Sequence, residues 1–505
     1  MLRQLIAHLM ALAAIGVTGS HGQDAALPPL EPGKVPGEAF LFKNVKVFDG
    51  TKDSLQDVDV LVVNNLIRKV AKDIPSSGTF EIDIEKKTSK QITVGSGVDA
   101  RIYTLYYPAA EGEPEKKQVA VKVIDGGGRT LMPGLHDMHT HLAYFLPSPD
   151  HRHDMDVFHL GGMAIARAER MLMNGFTTIR DLGGPAKFAQ KIIDNGSAPG
   201  PRIYPSEAWV TQTSGHGDKR SLNDQHPNMN QGAYHQFERY WSFIADGPTE
   251  VRRGVRESLR RGATQIKLHT GGGVTSPFDP LHTVQFTPEE IRAAVEAAEG
   301  WKTYCTTHAF IDEAVRIAID NGVKCIEHYA MITEDTVKLM AEKKIWAVTN
   351  MESVMGLPPE EYKKIMPGDQ FAKLMDVLEK FNKAVSYMAK HNKEHMAYGT
   401  DIVNDWKLFP EWEATAQNAE FEHLAKFLDP VDVLKVATSN SARLAKLCGP
   451  NDPYPHPSGV IEEGAYADMI LVDGNPIEDI LLMTMPDKNF PLIMKDGVIY
   501  KNTLK

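Results

Sequence analysis

The stretch that decides the fold is Leu131–Leu142, LMPGLHDMHTHL, in which an apolar run ends in His139 and His141. Side chains at positions i and i+2 of a β-strand point to the same face. Both imidazoles therefore project together, and two neutral imidazoles on one side are good ligands for a divalent metal such as zinc. A His-x-His pair alone also fits two ordinary surface or core histidines, so this interpretation depends on ligands at other strand ends.

The composition argues against a nucleic-acid-binding protein. The chain has 505 residues, 42% of them hydrophobic and 24% charged, with a net charge of -11 and no cluster of Lys and Arg. Such a chain can bury a large core and has room for one big domain and a smaller one, whereas binding to a phosphate backbone needs clustered cations. The cysteines Cys305, Cys325 and Cys448 are too few for a disulfide framework, and we expect the first two to pack in the core.

The N-terminus has the pattern of a secretory signal peptide, residues 1–22. Arg3 precedes the apolar segment Leu5–Val17, and the small residues Ser20 and Gly22 follow it. The apolar segment is too short to span a bilayer. We therefore expect a secreted or periplasmic protein that begins at Gln23 and has no membrane span once the signal is removed. A disordered tail or an uncleaved anchor are the alternatives.

Beyond a Pro-rich linker at 23–37, two kinds of pattern follow each other along the chain. Short strands and turns over 38–130 predict a β-domain. From Leu131, strands alternate with helices, which predicts an α/β fold with a parallel sheet. A doubly wound sheet gives a similar alternation, but eight regular repeats favour a (β/α)8 barrel of the TIM type. The predicted barrel strands are 131–139, 177–182, 202–209, 264–269, 303–308, 325–329, 346–350 and 396–400.

Strand patterns return after the last predicted helix, at Met469–Val472 and Leu492–Met494. The simplest account is that both ends of the chain build one small β-sandwich beside the barrel. This gives a β-sandwich from 38–130 and 449–505, and a barrel from 131–448.

The ends of the predicted barrel strands carry metal-binding side chains. Catalytic groups of such barrels lie at the C-terminal ends of the strands. One strand-end histidine is more often a core residue, and one aspartate is often a helix N-cap, but six candidates at one rim indicate a metal site. These candidates are His139, His141, Lys267, His308, His328 and Asp401.

Lys267 is the most informative of the six. A protonated amine repels cations and is costly to bury, so it fits a metal site only after CO₂ converts it to a carbamate, which can bridge two divalent ions. Two ions would polarise a carbonyl and acidify a water, with Asp401 as general base and then general acid. A salt-bridged or snorkelling Lys267 beside one metal is the alternative.

One set of motifs extends over nearly the whole mature chain: PGLHDMHTH, Lys267, His308, His328, the GTD ending at Asp401 and the tail GVIEEGAYADMILVDGNPIEDI. This set resembles the binuclear branch of the amidohydrolase superfamily. Three further stretches narrow the resemblance, TSGHGD (Thr213–Asp218), WSFIADGPTEVRRGVRESLRRGATQIKL and GGGVTSPFDPLHTVQFTPEEI. They resemble the branch of Xaa-Pro dipeptidases, other metal-dependent dipeptidases of the same fold and ochratoxin-hydrolysing amidases; imidazolonepropionase is a more distant relative.

The region between 76 and 118 is longer than expected for this family. It is either a hairpin for homo-oligomer contacts or a decoration.

The resemblance implies hydrolysis of an amide or peptide bond whose leaving group is an amino acid with a free carboxylate. It assigns one of two metal ions, expected to be zinc, to His139, His141 and Asp401. It assigns the other to His308 and His328, with carboxylated Lys267 as the bridge. The substrate would be a dipeptide or another small molecule.

The resemblance also suggests substrate-binding residues. His216 would polarise the carbonyl or contact the carboxylate, although a loop histidine that caps a turn is nearly as good an account. Tyr240 and Arg239 would line the pocket. The same centre would also serve for a lactone, ester or cyclic imide. A non-catalytic binding protein is a remote alternative, because all six ligands are present.

Overall fold

Parallel strands that alternate with helices form the larger part of the chain, which confirms the predicted α/β class. The computed structural model describes residues 38–76, 79–84, 88–94, 101–107, 115–144, 157–229, 238–276, 278–366, 368–402 and 410–504. The predicted signal peptide and linker lie outside these residues.

The strands are β1 Ala39–Lys43, β2 Lys46–Val47, β3 Gln56–Asp57, β4 Asp59–Val63, β5 Leu66–Ala71, β6 Thr79–Ile84, β7 Thr88–Val94, β8 Arg101–Tyr107, β9 Glu115–Asp125, β10 Thr130–Pro133, β11 Leu135–Thr140, β12 Phe176–Asp181, β13 Arg202–Pro205, β14 Trp209–Thr211, β15 Ser242–Ile244, β16 Ile266–His269, β17 Cys305–Ile311, β18 Cys325–Met331, β19 Trp346–Val348, β20 Met396–Ala397, β21 Met469–Val472, β22 Leu492–Lys495 and β23 Val498–Asn502.

The helices are α1 Val157–Met173, α2 Ala186–Asp194, α3 Glu238–Trp241, α4 Pro248–Arg261, α5 Pro288–Gly300, α6 Asp312–Asp320, α7 Glu334–Glu342, α8 Glu352–Met355, α9 Pro359–Ile365, α10 Gly368–His391, α11 Pro410–Leu424, α12 Pro430–Lys435, α13 Ser441–Ala445 and α14 Pro486–Asn489. Among the described residues, no helix combines the length and the apolarity that a membrane crossing requires.

The parallel strands form two hydrogen-bonded groups, β11-β12-β13 and β15-β14-β16-β17-β18-β19-β20. Backbone hydrogen bonds also join β11, the first parallel strand, to the residues that follow β20, the last parallel strand. Met138 N donates to Tyr398 O at 2.7 Å, and Asp401 N donates to His139 O at 2.8 Å. Thr264 N donates to Pro205 O at 2.8 Å and links the two groups elsewhere.

The first predicted barrel strand is divided in the structure. β10 pairs in parallel with β2 and antiparallel with β21 in a separate, mixed sheet, and the series of parallel strands around the site begins only at β11. The break lies at Gly134, where a Cβ atom would stand 2.2 Å from Oγ1 of Thr177. Glycine therefore lets this segment pass close to β12. The third predicted strand is also divided in the structure, into β13 and β14. Glu207 lies between the two strands and has a left-handed φ of 57°.

All the remaining strands except β7 and β8 belong to two sheets, β5-β4-β1-β9-β6 and β23-β22-β21-β10-β2-β3. Phe42 and Val62 of the first and Leu131, Leu471 and Met494 of the second belong to one buried apolar cluster. The segment between 76 and 118 contains an antiparallel β7-β8 pair and pairs β6 with β9.

Local signals explain the helix boundaries near the site. Thr287 caps α5 with a capping box that Glu290 completes, and Gly262 ends α4 in a left-handed conformation. The helical segment from Pro430 to Ala445 is interrupted, because a π-helical turn at Val436–Asn440 separates α12 from α13. Cys305 and Cys325 pack in buried apolar clusters, as expected.

Candidate metal centre and active site

All six candidate ligands stand where parallel strands end. His139 belongs to β11, Lys267 to β16, His308 to β17 and His328 to β18, while His141 and Asp401 follow β11 and β20. The register pairs His269 with His308 and Ala309 with His328 across neighbouring strands. Because the strands are parallel, their carboxyl ends meet at one edge and bring these side chains together.

His139, His141 and Asp401 form the tightest group. Their ligand atoms lie within 4.8 Å of one another. Nε2 of His139 is 3.4 Å and Nε2 of His141 is 3.2 Å from Oδ1 of Asp401. The Nδ1 atoms are turned away: that of His139 donates to Glu327 at 2.9 Å, and that of His141 lies 3.3 Å from the carbonyl of Gly183. Both imidazoles therefore present Nε2 to one point, as metal ligands do.

His328 and His308 lie against this group. Nε2 of His328 is 3.7 Å from Oδ2 of Asp401, and the ring centroids of His308 and His328 are 4.4 Å apart. Nδ1 of His328 is buried and has no hydrogen-bond partner among the described residues. His328 and Asp401 have φ angles of 76° and 52°. Left-handed backbone at two non-glycine residues is a strain typical of functional sites.

Burial sets the protonation of the cluster. It lowers the pKa of His139, His308 and His328 well below the ordinary value for histidine, which favours the neutral form that binds a metal. Burial also lowers the pKa of Lys267 to about 8, although Glu327 and Asp401 oppose this change. Burial alone would raise the pKa of Asp401, but His139 and His141 outweigh it and lower the pKa to about 2.

The buried ion pair of Arg180 and Glu327 contacts His139 on the side of the ring that faces away from Asp401. Glu327 accepts hydrogen bonds from His139 and from Nη2 of Arg180, the latter at 2.6 Å, and also pairs with the hydroxyl of Thr306. Arg180 and Glu327 are both fully buried. The carboxylate fixes the tautomer and orientation of His139, a role usual for the partner of a metal-ligating histidine.

His216 reaches the cluster from the loop after β14. Its ring stacks on His308 with 4.1 Å between centroids, and its Nδ1 lies 2.7 Å from Oγ of Ser276. Its backbone N–H donates to Oε1 of Gln285 at 2.9 Å. His216 is therefore held beside the candidate ligands in a fixed orientation.

One cavity of about 70 Å³ unites these side chains. It contains all six candidate ligands and His216, together with residues that the sequence analysis did not select. Its lining residues are His139, His141, Tyr144, Trp209, His216, Lys219, Lys267, His269, Thr275, His308, His328 and Asp401.

His269 is a missed member of the site that the sequence could have revealed. It follows Lys267 by two positions on β16, so the i, i+2 rule applied to His139 and His141 places both on one face. Its ring lies 5.3 Å from Trp209 and 5.1 Å from His216.

The other two predicted substrate-binding residues are not among those that line this cavity in the described structure. Tyr240 lines a separate apolar cavity of about 230 Å³, between α1 and α2, with Ala143 and Phe188. The side chain of Arg239 lies outside the described part of the chain.

Comparisons with known proteins show which family this chain resembles. A sequence model described as "Amidohydrolase family" matches residues 130–501. Ochratoxinase of Aspergillus niger is 32% identical over 385 residues, which are 74% of this chain and 75% of that protein.

Solved structures are similar as well. A prolidase complexed with N-methylphosphonate-L-proline matches with 27% identity and a TM-score of 0.74, over 92% of this chain and 100% of its own. A Xaa-Pro dipeptidase with methionine bound in its active site matches with 25% identity and a TM-score of 0.71, again over 92% and 100%.

Proposed function

Because this chain belongs to the amidohydrolase family, we propose that it is a metal-dependent hydrolase that releases an amino acid with a free carboxylate from an amide or peptide bond. This chain is a hydrolase of amide bonds. Its class of substrate is what we propose. The observation that carries it is the convergence of His139, His141 and Asp401 beside buried Lys267 in one cavity.

The residues present fit a binuclear metal site. His139, His141 and Asp401 would hold one divalent ion, and His308 and His328 the other. Nitrogen and oxygen donors of this kind suit zinc, and Nδ1 of His328, which is buried without a hydrogen-bond partner among the described residues, is open to bind an ion. Lys267 would bridge the ions as a carbamate; its pKa of about 8 supports this, because the neutral amine is the form that reacts with CO₂.

Divalent ions bound here would supply Lewis acidity toward the substrate carbonyl and would acidify a water molecule. Asp401 is ionised at neutral pH and would accept a proton from that water. It would then return the proton to the leaving nitrogen. His216, which stacks on His308, would polarise the carbonyl from the other side.

The comparisons support an amino acid as the leaving group. The similar prolidase structure holds a proline derivative, and the similar dipeptidase holds methionine in its active site. Ochratoxinase, at 32% identity, is named for ochratoxin and not for a dipeptide. We therefore include both dipeptides and N-acyl amino acids in the substrate class.

The first experiment tests the mature chain from Gln23 against a library of dipeptides and N-acyl amino acids. Amine release is followed with and without a chelator, and again after zinc is restored. We expect chelator-sensitive release that zinc recovers. The Asp401→Asn variant should lose at least about 10³-fold in kcat while it keeps its metal. If no member of the library is hydrolysed while metal is bound, this substrate class is rejected. Lactones, esters and cyclic imides would then be tested.

Metal stoichiometry tests the bridging role of Lys267. We expect two ions per chain in the wild type and fewer in Lys267→Met, whose side chain cannot form a carbamate. The exposed Lys338→Gln variant on α7 is the control and should keep both ions. One ion per chain at full activity would contradict the bridge.

We also infer that the parallel strands close into a (β/α)8 barrel and that the two mixed sheets, β5-β4-β1-β9-β6 and β23-β22-β21-β10-β2-β3, form a sandwich. The backbone hydrogen bonds from Met138 to Tyr398 and from Asp401 to His139 support closure. The apolar cluster shared by both sheets supports the sandwich. The corresponding domains would be 38–130 with 449–505 for the sandwich, and 131–448 for the barrel.

We further propose that the protein is exported to the periplasm or the medium after removal of residues 1–22. The apolar segment after Arg3 supports this proposal. Mass spectrometry of the protein recovered from the producing cells should find a chain that begins at Gln23, and an intact Met1 would contradict it.

A further inference from the structure

Lys219 extends into the cavity of the candidate metal centre without being a candidate ligand. It is half-buried and lines the cavity with His216 and Thr275. Its Nζ lies 3.4 Å from Oγ1 of Thr275. Lys219 also acts electrostatically on the imidazoles of His216 and His269. Its ammonium group therefore belongs to the side of the cavity where those two histidines lie.

The loop that carries Lys219 is held in place from both sides. The carbonyl of Gly217 accepts hydrogen bonds from Nε1 of Trp209 at 3.1 Å and from Oγ of Ser242 at 2.8 Å. An added Cβ at Gly217 would lie 2.4 Å from Nδ1 of His269, so the loop backbone passes directly over the cavity wall. Lys219 is thus presented from an ordered backbone.

The neighbouring charges are engaged in supporting this loop. Asp218 accepts two hydrogen bonds from Arg220, at 2.8 Å and 2.6 Å, and a third from Ser214 N at 2.9 Å. Arg220 is therefore directed to Asp218. Of the described residues that line the cavity, two are lysines. Lys267 stands among the candidate ligands, whereas Lys219 lies beside His216 and Thr275 in another part of the cavity wall.

The geometry points to Lys219 as the residue that binds the free carboxylate of the leaving amino acid, an assignment that rests on the proposed function and identifies its recognition group. In an amino acid, the carboxylate carbon lies roughly 3–4 Å from the scissile carbonyl carbon. The group that binds the carboxylate must therefore line the same cavity as the candidate ligands. A carboxylate that enters this buried cavity beside the anionic Asp401 is also stabilised by a paired cation.

The hydroxyl of Thr275 provides a second contact. It lies within reach of the same ammonium and can donate to the carboxylate that Lys219 binds. The site thus discriminates a free carboxylate from a carboxamide, because a carboxamide carries no charge for the lysine to pair.

The test compares one substrate with its own carboxamide. The best substrate of the library and the same compound with its carboxylate amidated are assayed on the metal-loaded wild type, Lys219→Gln and Lys219→Arg, with Lys338→Gln as the surface control. We expect Lys219→Gln to lower kcat/KM for the carboxylate substrate by about 10- to 100-fold, mainly through KM. Its kcat/KM for the carboxamide should stay within about threefold of the wild type. Lys219→Arg should retain most of the preference.

Equal losses on both substrates, or no loss on either, would overturn the assignment while the proposed function stands. A wild type that cleaves no member of the library would overturn the proposed function and this assignment with it. Calorimetric titration with the product amino acid and its amide gives a readout that is independent of turnover. We expect Lys219→Gln to bind the amino acid about tenfold more weakly and the amide equally well. Unchanged affinity for the amino acid would overturn the assignment.

Discussion

Glu327 controls the orientation of His139 at the scale of single residues. Replacing it with Gln keeps the size but removes the charge, which leaves buried Arg180 without its counter-ion. We expect metal affinity to fall by about 10- to 100-fold and stability by about 3–5 kcal/mol. Competition with a chelator and thermal unfolding measure the two effects.

The surface offers a matched control for this carboxylate–histidine pair. Asp376 accepts a hydrogen bond from Nε2 of His282 at 2.7 Å, and the His282 side chain is 60% exposed. Asp376→Asn should change neither metal affinity nor stability by more than about 0.5 kcal/mol. An unchanged metal affinity in Glu327→Gln would show that His139 does not need this partner.

His136 makes stability depend on pH. Burial lowers its pKa from 6.5 to about 4, and its ring lies between the carbonyl of Gly134 and Oγ of Ser458. Between these pKa values the unfolded chain binds a proton that the native chain does not. Native stability therefore falls as the pH is lowered through this range, by up to about 3 kcal/mol.

The substitution His136→Gln should reduce the pH response. Melting temperatures at about pH 7 and about pH 5 should differ less in this variant than in the wild type, because it lacks this proton uptake. The exposed His282→Gln variant should keep the wild-type difference. If His136→Gln kept it too, the other buried histidines would account for the acid sensitivity.

At the scale of secondary-structure elements, Asp137 fastens the first parallel strand to the segment after β20. It accepts hydrogen bonds from Oγ1 of Thr400 at 2.6 Å, from Nε2 of Gln417 at 3.0 Å and from N of His139 at 3.1 Å. His139 and Asp401, which stand in these two segments, are candidate ligands of the same ion. Asp137 is therefore a positioning residue.

We expect Asp137→Ala to cost about 3 kcal/mol, because it leaves several buried donors without an acceptor. Metal content after dialysis should fall as well, since the two segments lose their common anchor. Asp137→Asn retains one acceptor oxygen and should lose less on both measures. If Asp137→Ala kept its full metal content, residues other than Asp137 would align the ligands.

At the scale of the whole molecule, Arg202 connects the parallel strands to the C-terminal strands. From β13 it pairs with Asp468 and Asp496, each at 2.7 Å, and its guanidinium lies 3.6 Å from the ring centroid of Tyr466. Arg202→Met would leave the buried Asp468 uncompensated, at a cost of about 3–5 kcal/mol. Circular dichroism and limited proteolysis should show both parts unfolding together at a lower temperature.

The exposed pair of Arg252 with Glu296, 3.3 Å apart, serves as the control. Arg252→Met should change stability by at most about 1 kcal/mol. Cleavage within residues 469–502 before any loss of bound metal would contradict the coupling, because it would show that the C-terminal strands unfold on their own.

The sequence by itself determined the α/β class and the six candidate ligands. Both follow from local rules: side chains alternate along a strand, and the ends of parallel strands share one edge. His139 with His141 follows from a spacing of two. The same spacing places His269 beside Lys267, although His269 was not among the predicted residues. Thr287 before Pro288 is a local signal of the same kind, because it caps the start of α5.

The tertiary structure alone decided which groups surround the ligands. Glu327 contacts His139 across 188 residues and Arg180 across 147, and Lys219 meets Thr275 across 56. The path of each loop also placed Tyr240 in another cavity. Such contacts depend on how the strands order themselves and how the loops between them pack, which no local period in the sequence encodes.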